Sequence, residues 1–497
     1  MEEFGDGMET DVQVLAIYVA TAIKWLWPGF VLGLASIPSA INSRRPAVST
    51  IAWILALVSL PYVGFALYLA LGHTRMTRRV RKRRQARSAV ASGLVGVRGR
   101  MRRFRAVDAS EVPSLNPLTR GLVTQGMAMG SYPLTLGNRG QILVDGAMKF
   151  GALLAAIEGA TDHIHLEYYI FEPDETGRRV RDALIAKAKE GVEVRLLVDA
   201  MGSLAVARGF LRGLEEAGGE TARFLPARLT GRRFDVNFRN HRKIAVIDGR
   251  VGFTGGMNVG DDYSGYTGAG WHDIHLELEG AAVHFLQETF AEDWYFATQK
   301  DLAHHRYFPA PRLPGDDLIQ IVPSGPDLDW PSLHQLFFSA IAQAKERVWI
   351  VTPYFVPTES LLSALIAASH RGVDVRIVLP HKVDHRMVYL AARSYYQELL
   401  SSGVRIFEYT PRMTHAKVMT VDGVFGTIGS CNMDVRSFYL NFEINALIHS
   451  TRLARQLEAI IREDLANGEE VHLSTFLRRS YLRRLAENAC RLLSPVL

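Results

Sequence analysis

Two cysteines, Cys431 and Cys490, are all that the 497 residues contain, so a disulfide framework and a cysteine-based zinc site are excluded and free thiols are expected. Charge is missing from one stretch: no Lys, Arg, Asp or Glu occurs between Pro46 and Gly72. A basic start is missing as well, because Glu2, Glu3, Asp6, Glu9 and Asp11 stand where a cleaved signal peptide would carry Lys or Arg. The low hydrophobicity of a disordered chain is also absent. At 48% hydrophobic residues the sequence can build two globular domains or one large one, with room for a membrane segment. Acidic excess is lacking too, and the net charge of +6 with a pI near 9.2 favours an anionic partner, for which acidic lipid and nucleic acid fit equally at this level.

The uncharged stretch contains IAWILALVSLPYVGFALYLALG, the roughly 20 apolar residues that span a bilayer. Pro61 kinks such a span without excluding it. An earlier apolar run, VQVLAIYVATAIKWLWPGFVLGLASIPSAI, is interrupted by Lys24, Pro28 and Pro38 and reads as a first span or a re-entrant segment. Two N-terminal transmembrane helices, about 12–40 and 50–72, are therefore expected within a membrane region 1–74. RMTRRVRKRRQAR follows, with Arg75, Arg78, Arg79, Arg81, Lys82, Arg83, Arg84 and Arg87. Such a run places the domain beyond it in the cytoplasm and attracts anionic headgroups, unless it is only a solvated linker. It forms a basic juxtamembrane linker, 75–117.

Beyond the linker, strands and helices alternate. HIHLEYYIF (163–171) reads as a strand, RRVRDALIAKAKEG as a helix ending at Gly191, and VEVRLLVDA as a strand. RVWIVTPYFV, LLSALIAASHRG and VDVRIVLP repeat that order from Arg347 to Pro380, with GVEVR and GVDVR as matching punctuation. The chain is therefore α/β and internally duplicated, with halves at 118–310 and 311–497.

HRKIAVIDG, from His241 to Gly249, predicts a strand and a tight Asp-Gly hairpin turn, with His241 and Lys243 on one face. HAKVMTVDG repeats it from His415, and GGMN (255–258) and GSCN (429–432) follow at equal offsets. A hairpin needs the apolar alternation and the turn, but it has no use for an identical His and Lys in both copies. The pattern H-x-K-x4-D-x6-G-[GS]-x-N, found twice, resembles the signature of the phospholipase D superfamily. PYVGFALYLALG, HIHLEYYIFEPDETGRR, QIVPSGPD, VTPYFVPT and RSFYLNFEINA extend the likeness to bacterial cardiolipin synthases over almost the whole chain. That resemblance implies a bilobed domain of two similar mixed sheets flanked by helices, its motifs meeting at a pseudo-twofold interface. It also implies a multi-pass enzyme of the bacterial inner membrane that turns two phosphatidylglycerols into cardiolipin and glycerol.

The chemistry can also be argued from the residues. A phosphodiester repels anionic nucleophiles, so its cleavage needs a neutral nucleophile, a proton for the leaving alkoxide and fixed positive charge. His241, Lys243, His415 and Lys417 supply these, and the equivalence of the motifs leaves open which histidine attacks. Asn258 and Asn432 are expected to help hold the phosphoryl oxygens. Asp248 and Asp422 complete the motifs, and securing the hairpin is favoured for them over handling a proton. The resemblance places histidine-orienting acids at Asp273 in GWHDIHLELEG and Glu443 in NFEINA, each serving the histidine of the opposite half, Asp273 with His415 and Glu443 with His241. No cofactor or metal is required.

Other polar residues carry less. His163 and His165 lack accompanying ligands and read as packed histidines. Ser324-Gly325-Pro326-Asp327 reads as a turn into the second half. Arg232, Arg233, Arg239 and Arg242 fit headgroup contact and a solvated loop equally. Cys431, at the variable place in GSCN, is not expected to react. FLRRSYLRRLAENACRLLSPVL mixes leucines and arginines, which suits an interfacial amphipathic helix or packing on the core. The expected partners are phosphatidylglycerol and anionic membrane lipid. No nucleic acid is expected, because two apolar spans suit free DNA poorly and the aromatic-basic interleaving of a single-strand groove is not evident. Hydrolysis by water, transfer to another alcohol such as serine, a nuclease and a non-enzymatic scaffold are the competing readings.

Overall fold

The computed structural model describes residues 5–42, 47–69, 77–106, 109–113, 115–225, 238–266, 268 and 270–494. The chain divides into two compact units, residues 1–79 with 228–237, and residues 80–227 with 238–497. Arg75, Arg232 and Arg233 lie outside the described residues.

The first unit is helical, with Gly5–Ile41, Ala47–Ser59 and Pro61–Leu67. Pro61 occupies the first turn of the third helix, where its missing N–H leaves no bond unmade, and so splits the apolar stretch that reads in sequence as one span. Ala40, Leu57 and Tyr68 form a small buried cluster, with Ile37, Trp53 and Phe65 packed against it. Trp25, Trp27, Ile51, Leu55 and Val63 remain exposed. No helix among the described residues is long and apolar enough to cross a membrane.

In the second unit two sheets repeat one topology. The first runs Leu134–Val144, Ile274–Glu279, Val251–Gly255, Ile244–Ile247, His163–Tyr168, Glu193–Asp199 and Glu220–Phe224. Its neighbours are antiparallel up to His163–Tyr168, and the last three strands are parallel. The second runs Asp317–Ser324, Asn441–Ile448, Phe425–Gly429, Val418–Val421, Arg347–Val351, Asp374–Pro380 and Arg405–Tyr409 with the same directions, and Gly468–Glu470 is added at its edge. Leu134–Val144 pairs antiparallel with Asp317–Ser324 and joins the sheets.

Alternation along the strands decides the layers. Ala245 and Ile247 face a core with Ile164, Leu166, Leu153 and Leu184, under the helices Asp145–Glu158 and Glu175–Lys189. Ile244 and Val246 face the other way, into a core shared with Val418, Ile428, Ile444 and Ala446 of the second sheet. The second sheet covers its outer face with Ser332–Gln343, Glu359–His370 and Arg386–Ser401. Gly191 and Gly372, at φ of 89° and 86°, follow equivalent helices in the left-handed region that suits glycine.

The basic segment differs from a bare linker. Thr77–Gly93 and Val95–Arg100 are helical. Arg83 is buried, 2.7 Å from Asp293 and 3.3 Å from Glu292 on the helix Val283–Thr298, and Arg87 lies 3.5 Å from Glu292. These arginines neutralise acids of the first half and are withdrawn from headgroups, whereas Arg81 and Lys82 are exposed.

Candidate active site

The hairpin turns form as the sequence predicts. Asp248 and Asp422 take φ of 53° and 54°, each is followed by a glycine with positive φ, and Arg250 N–H donates to Ile247 O at 2.9 Å. The Asp248 carboxylate accepts from the backbone N–H groups of Thr161, Asp162 and His163 at 2.8–3.0 Å. That of Asp422 accepts from Lys345, Glu346 and Arg347 at 2.8–2.9 Å. Both aspartates sit at the end of the strand away from the histidine. They tie each hairpin to the start of the neighbouring strand, the part favoured for them from the sequence over handling a proton.

At the opposite end, His241 and His415 precede the strands, which begin at Ile244 and Val418. Each is held by the other half. His241 N–H donates to Phe442 O at 2.9 Å, and its Nδ1 lies 2.9 Å from Glu443 Oε2. His415 N–H donates to His272 O at 2.6 Å, and its Nδ1 lies 2.8 Å from Asp273 Oδ2. Backbone and side chain thus follow one pseudo-twofold rule: each histidine bonds the carbonyl just before the acid and then the acid. The carboxylates occupy Nδ1 and turn Nε2 of each ring toward the site.

Lys243 Nζ donates to His241 O at 2.7 Å, and Lys417 Nζ donates to His415 O while lying 3.1 Å from Nε2 of the same ring. Burial pushes the Lys417 ammonium down to about 8 and that of Lys243 well below the usual lysine range. Burial also pulls His241 down to about 4, where Glu443 opposes the shift and Lys243 and Lys417 add to it. Burial, Lys417, Lys243 and His241 push His415 well below the ordinary histidine value, so residues of both halves act on one site. Both rings are neutral near pH 7.

The two acids differ. Burial drives Asp273 up to about 7 against the nearby Lys417. Burial pushes Glu443 up as well, but His241, Lys243 and Ser430 outweigh it and hold the carboxyl below its ordinary value. Glu443 is the better solvated by protein: besides His241 it accepts from Ser430 Oγ and, at 3.2 Å, from Asn441 Nδ2.

The two asparagines differ. Both ends of the Asn258 amide are engaged, Oδ1 by Ile170 N–H at 3.2 Å and Nδ2 by Tyr263 Oη at 2.7 Å, so as folded it braces the site rather than facing it. Asn432 Oδ1 is buried without a hydrogen-bond partner. Arg242, expected on a basic loop or at headgroups, is buried instead: its guanidinium pairs with Asp293 and donates to Glu443 O at 3.1 Å and Ser324 O at 3.2 Å. Arg239 is buried too, with Nη1 donating to Phe238 O at 2.8 Å. Ser324 ends a strand opposite Glu443, which puts the Ser-Gly-Pro-Asp turn beside the site.

Some residues of the site carry no sequence signal of their own. Tyr169 lies edge-on to His241 at 5.0 Å, and Tyr263 and Trp271 flank His415 at 5.3 and 5.2 Å. His272 bridges the halves: Nδ1 lies 2.7 Å from Asp145, Nε2 lies 2.8 Å from Asp464, and the ring stacks on Tyr409. Burial disfavours its charge, but Asp145 and Asp464 together raise it to about 9, so it is an imidazolium at neutral pH. The segment after it and the loop carrying His415 are clamped by this ion pair. His163 and His165 are packed and bonded, to Asp162 at 2.7 Å and Gln287 at 3.0 Å. Cys431 is buried and burial pushes its thiol up, which leaves it unreactive. No metal-holding group of three or more His, Cys, Asp or Glu occurs among the described residues.

A duplicated α/β fold whose two H-x-K histidines are each buried against a carboxylate of the opposite half defines a phospholipase D-like enzyme. Comparison with known families agrees: residues 153–294 and 337–465 match the cardiolipin synthase, phospholipase D-like domain, and residues 31–73 match a phospholipase D-nuclease N-terminal region. The cardiolipin synthase of Geobacillus kaustophilus strain HTA426 is 38% identical over 508 residues, covering 98% of this chain and 99% of that one. The major cardiolipin synthase ClsA of Bacillus subtilis strain 168 is 37% identical over 476 residues, covering 93% and 97%. Among solved structures, the phosphatidylserine synthase of Haemophilus influenzae Rd KW20 shares the fold at a TM-score of 0.56 and 16% identity, over 72% of this chain and 95% of that one. The chain belongs to the cardiolipin synthase family of phospholipase D-like enzymes.

Proposed function

We propose that this protein is a membrane-bound cardiolipin synthase that transfers the phosphatidyl group of one phosphatidylglycerol to a second and releases glycerol. The observation that carries the reading is the pair of crossed histidine–carboxylate contacts, His241 with Glu443 and His415 with Asp273, in a chain alignable end to end with cardiolipin synthases. Nε2 of one neutral histidine attacks phosphorus and forms a P–N bond as the P–O bond to glycerol breaks. The other histidine, neutral in the free enzyme and protonated once the anionic phosphodiester lies against its ring, gives that proton to the departing alkoxide. That second ring, now a base, takes the proton of a hydroxyl on the incoming phosphatidylglycerol, whose oxygen attacks phosphorus and breaks the P–N bond. Lys243, Lys417 and Asn432 hold charge on the non-bridging oxygens. One phosphodiester replaces another, so no nucleotide is consumed.

The N-terminal region is proposed to hold the enzyme at the bacterial inner membrane, with its catalytic unit on the cytoplasmic side. The apolar surface left exposed by Trp25, Trp27, Ile51, Leu55 and Val63 supports this, as does the match of residues 31–73 to a known N-terminal region.

The test is purified protein in liposomes with phosphatidylglycerol alone and no nucleotide, its lipid products followed by mass spectrometry. Cardiolipin with an equal amount of glycerol supports the proposal. Phosphatidic acid as the sole product makes the enzyme a hydrolase, and no turnover removes the substrate assignment.

A further inference from the structure

The C-terminal helix Tyr481–Arg491 is attached inside out. Its one fully buried side chain is a carboxylate: Glu487 is 0% exposed and lies 3.2 Å from Arg393, 2.8 Å from Arg479 and 3.5 Å from Arg483. The stripe formed by Leu482, Leu485 and Leu492, at i, i+3 and i+10, faces away from that anchor, and these leucines are 74%, 52% and 81% exposed. Tyr481 and Leu493 widen the stripe and are exposed as well. A helix kept for packing would bury its leucines and solvate its glutamate.

Charge says what covers the stripe. From residue 471 to 494 Glu487 is the sole acid and is sequestered, whereas Arg478, Arg483 and Arg484 are exposed around the leucines. The helix lies along Arg386–Ser401: Arg393 meets Glu487, and further on Tyr395 Oη is 3.2 Å from Ser494 Oγ and beneath the Arg491 guanidinium. The two helices therefore run parallel, and the start of the leucine stripe adjoins the start of Arg386–Ser401, where Met387 is also exposed. His385 precedes that helix, with its ring 5.9 Å from Tyr354, which in turn lies 6.4 Å from His415. The apolar, basic surface leads toward the side of the catalytic unit that carries the His415 loop.

We infer that the helix Tyr481–Arg491, held by the Glu487 ion-pair anchor, is an interfacial docking element whose leucines enter the headgroup boundary of an anionic bilayer beside the active site. It extends the lipid-substrate reading, so its test uses a signal independent of turnover.

An environment-sensitive fluorophore is placed at Leu485→Cys in a Cys490→Ser background, with Cys431 buried, and at Lys189→Cys on a polar helix as a control. The full chain is reconstituted in vesicles of phosphatidylcholine, or of phosphatidylcholine with phosphatidylglycerol, with and without nitroxide-labelled lipid. The expected result is a blue-shifted 485 emission in the anionic vesicles that loses at least about half its intensity to nitroxide lipid. The 189 label stays water-like, and Arg478→Gln with Arg484→Gln reduces the shift. Water-like emission at 485 in anionic vesicles overturns the proposal, and an equal shift in pure phosphatidylcholine overturns its anionic specificity. A shift that instead grows with protein concentration in detergent assigns the face to a second copy of the chain and also overturns it. Each outcome is readable even if the protein forms no cardiolipin.

Discussion

His241, from the first half of the duplication, is oriented by Glu443 of the second, with Nδ1 2.9 Å from the carboxylate and the backbone N–H on the preceding carbonyl. The mirror relation of His415 to Asp273 makes one site from two repeats, so neither half holds an oriented histidine by itself. Exchange of Glu443 for Gln or Asp273 for Asn is expected to keep the fold and lower turnover by about 10²- to 10⁴-fold, as removal of an orienting carboxylate does elsewhere. Initial rates with phosphatidylglycerol, beside unchanged thermal unfolding, check this. A loss below tenfold in both variants contradicts the orienting role.

His241→Ala and His415→Ala are each expected to lower cardiolipin formation by at least about 10³-fold, because in the proposed transfer one histidine forms the bond to phosphorus and the other moves the protons. Lys243→Ala and Lys417→Ala remove positive charge and are expected to slow the same step. Asp248→Asn and Asp422→Asn, by contrast, lose acceptors for backbone N–H groups, so a fall in melting temperature is expected with catalysis largely kept. Activity abolished in a fully folded Asp248→Asn protein contradicts its assignment to the hairpin.

The acids predict an asymmetric pH dependence. Asp273 is pushed up to about 7 by burial, so its carboxylate, and the His415 orientation it maintains, are lost as pH falls through about 7. Lys417 is pushed down to about 8, so the positive charge that the proposed mechanism sets against the phosphoryl oxygens is lost as pH rises through about 8. A narrow bell for kcat/KM between those values is expected, and Asp273→Asn should flatten its acidic limb while leaving the alkaline one. Glu443, held below its ordinary value, contributes no limb near neutrality. A profile flat from pH 6 to 9 contradicts these assignments.

His272 makes a stability prediction. Its folded pKa of about 9 lies above the ordinary histidine value, so its contribution is fully present below about 6.5 and is lost as pH rises through about 9. The shift corresponds to ~3 kcal/mol. His272→Gln should therefore be destabilised at pH 6 and nearly level with the parent at pH 9.5 or above, as read by denaturant unfolding. A destabilisation unchanged across that range contradicts the imidazolium clamp.

Arg242→Ala removes one partner of buried Asp293 and the donor to the Glu443 carbonyl. A cost of about 3 kcal/mol is expected from breaking this buried pair, with Arg83 alone left against Asp293. Unfolding midpoints within 1 °C of the parent contradict this.

The sequence showed the duplication, the motif strands and the turn aspartates because each copy repeats them at equal offsets, whereas the acids, 32 positions after His241 and 28 after His415, were placed only by the family resemblance. What it hid depends on contacts between distant positions. Arg83 and Arg242 read as members of basic runs, and only folding brings them to Asp293, 210 and 51 positions along the chain. Asn258 reads like Asn432, yet a neighbouring tyrosine absorbs its amide. Pro61 carried the break in the apolar stretch, but as the first residue of a new helix rather than as a kink in one. In the C-terminal segment the spacing of leucines was legible, but the sequence does not say that Glu487 would face inward.

The proposed transfer turns on a bond from phosphorus to a histidine in a site that both halves build. Enzyme mixed with phosphorus-labelled phosphatidylglycerol and quenched within one turnover should carry label that is stable to base and labile to acid, mapped to a peptide holding His241 or His415 and absent after mutation of that histidine. Cardiolipin formed with no protein-bound label on either histidine, in an experiment able to capture a single turnover, contradicts it.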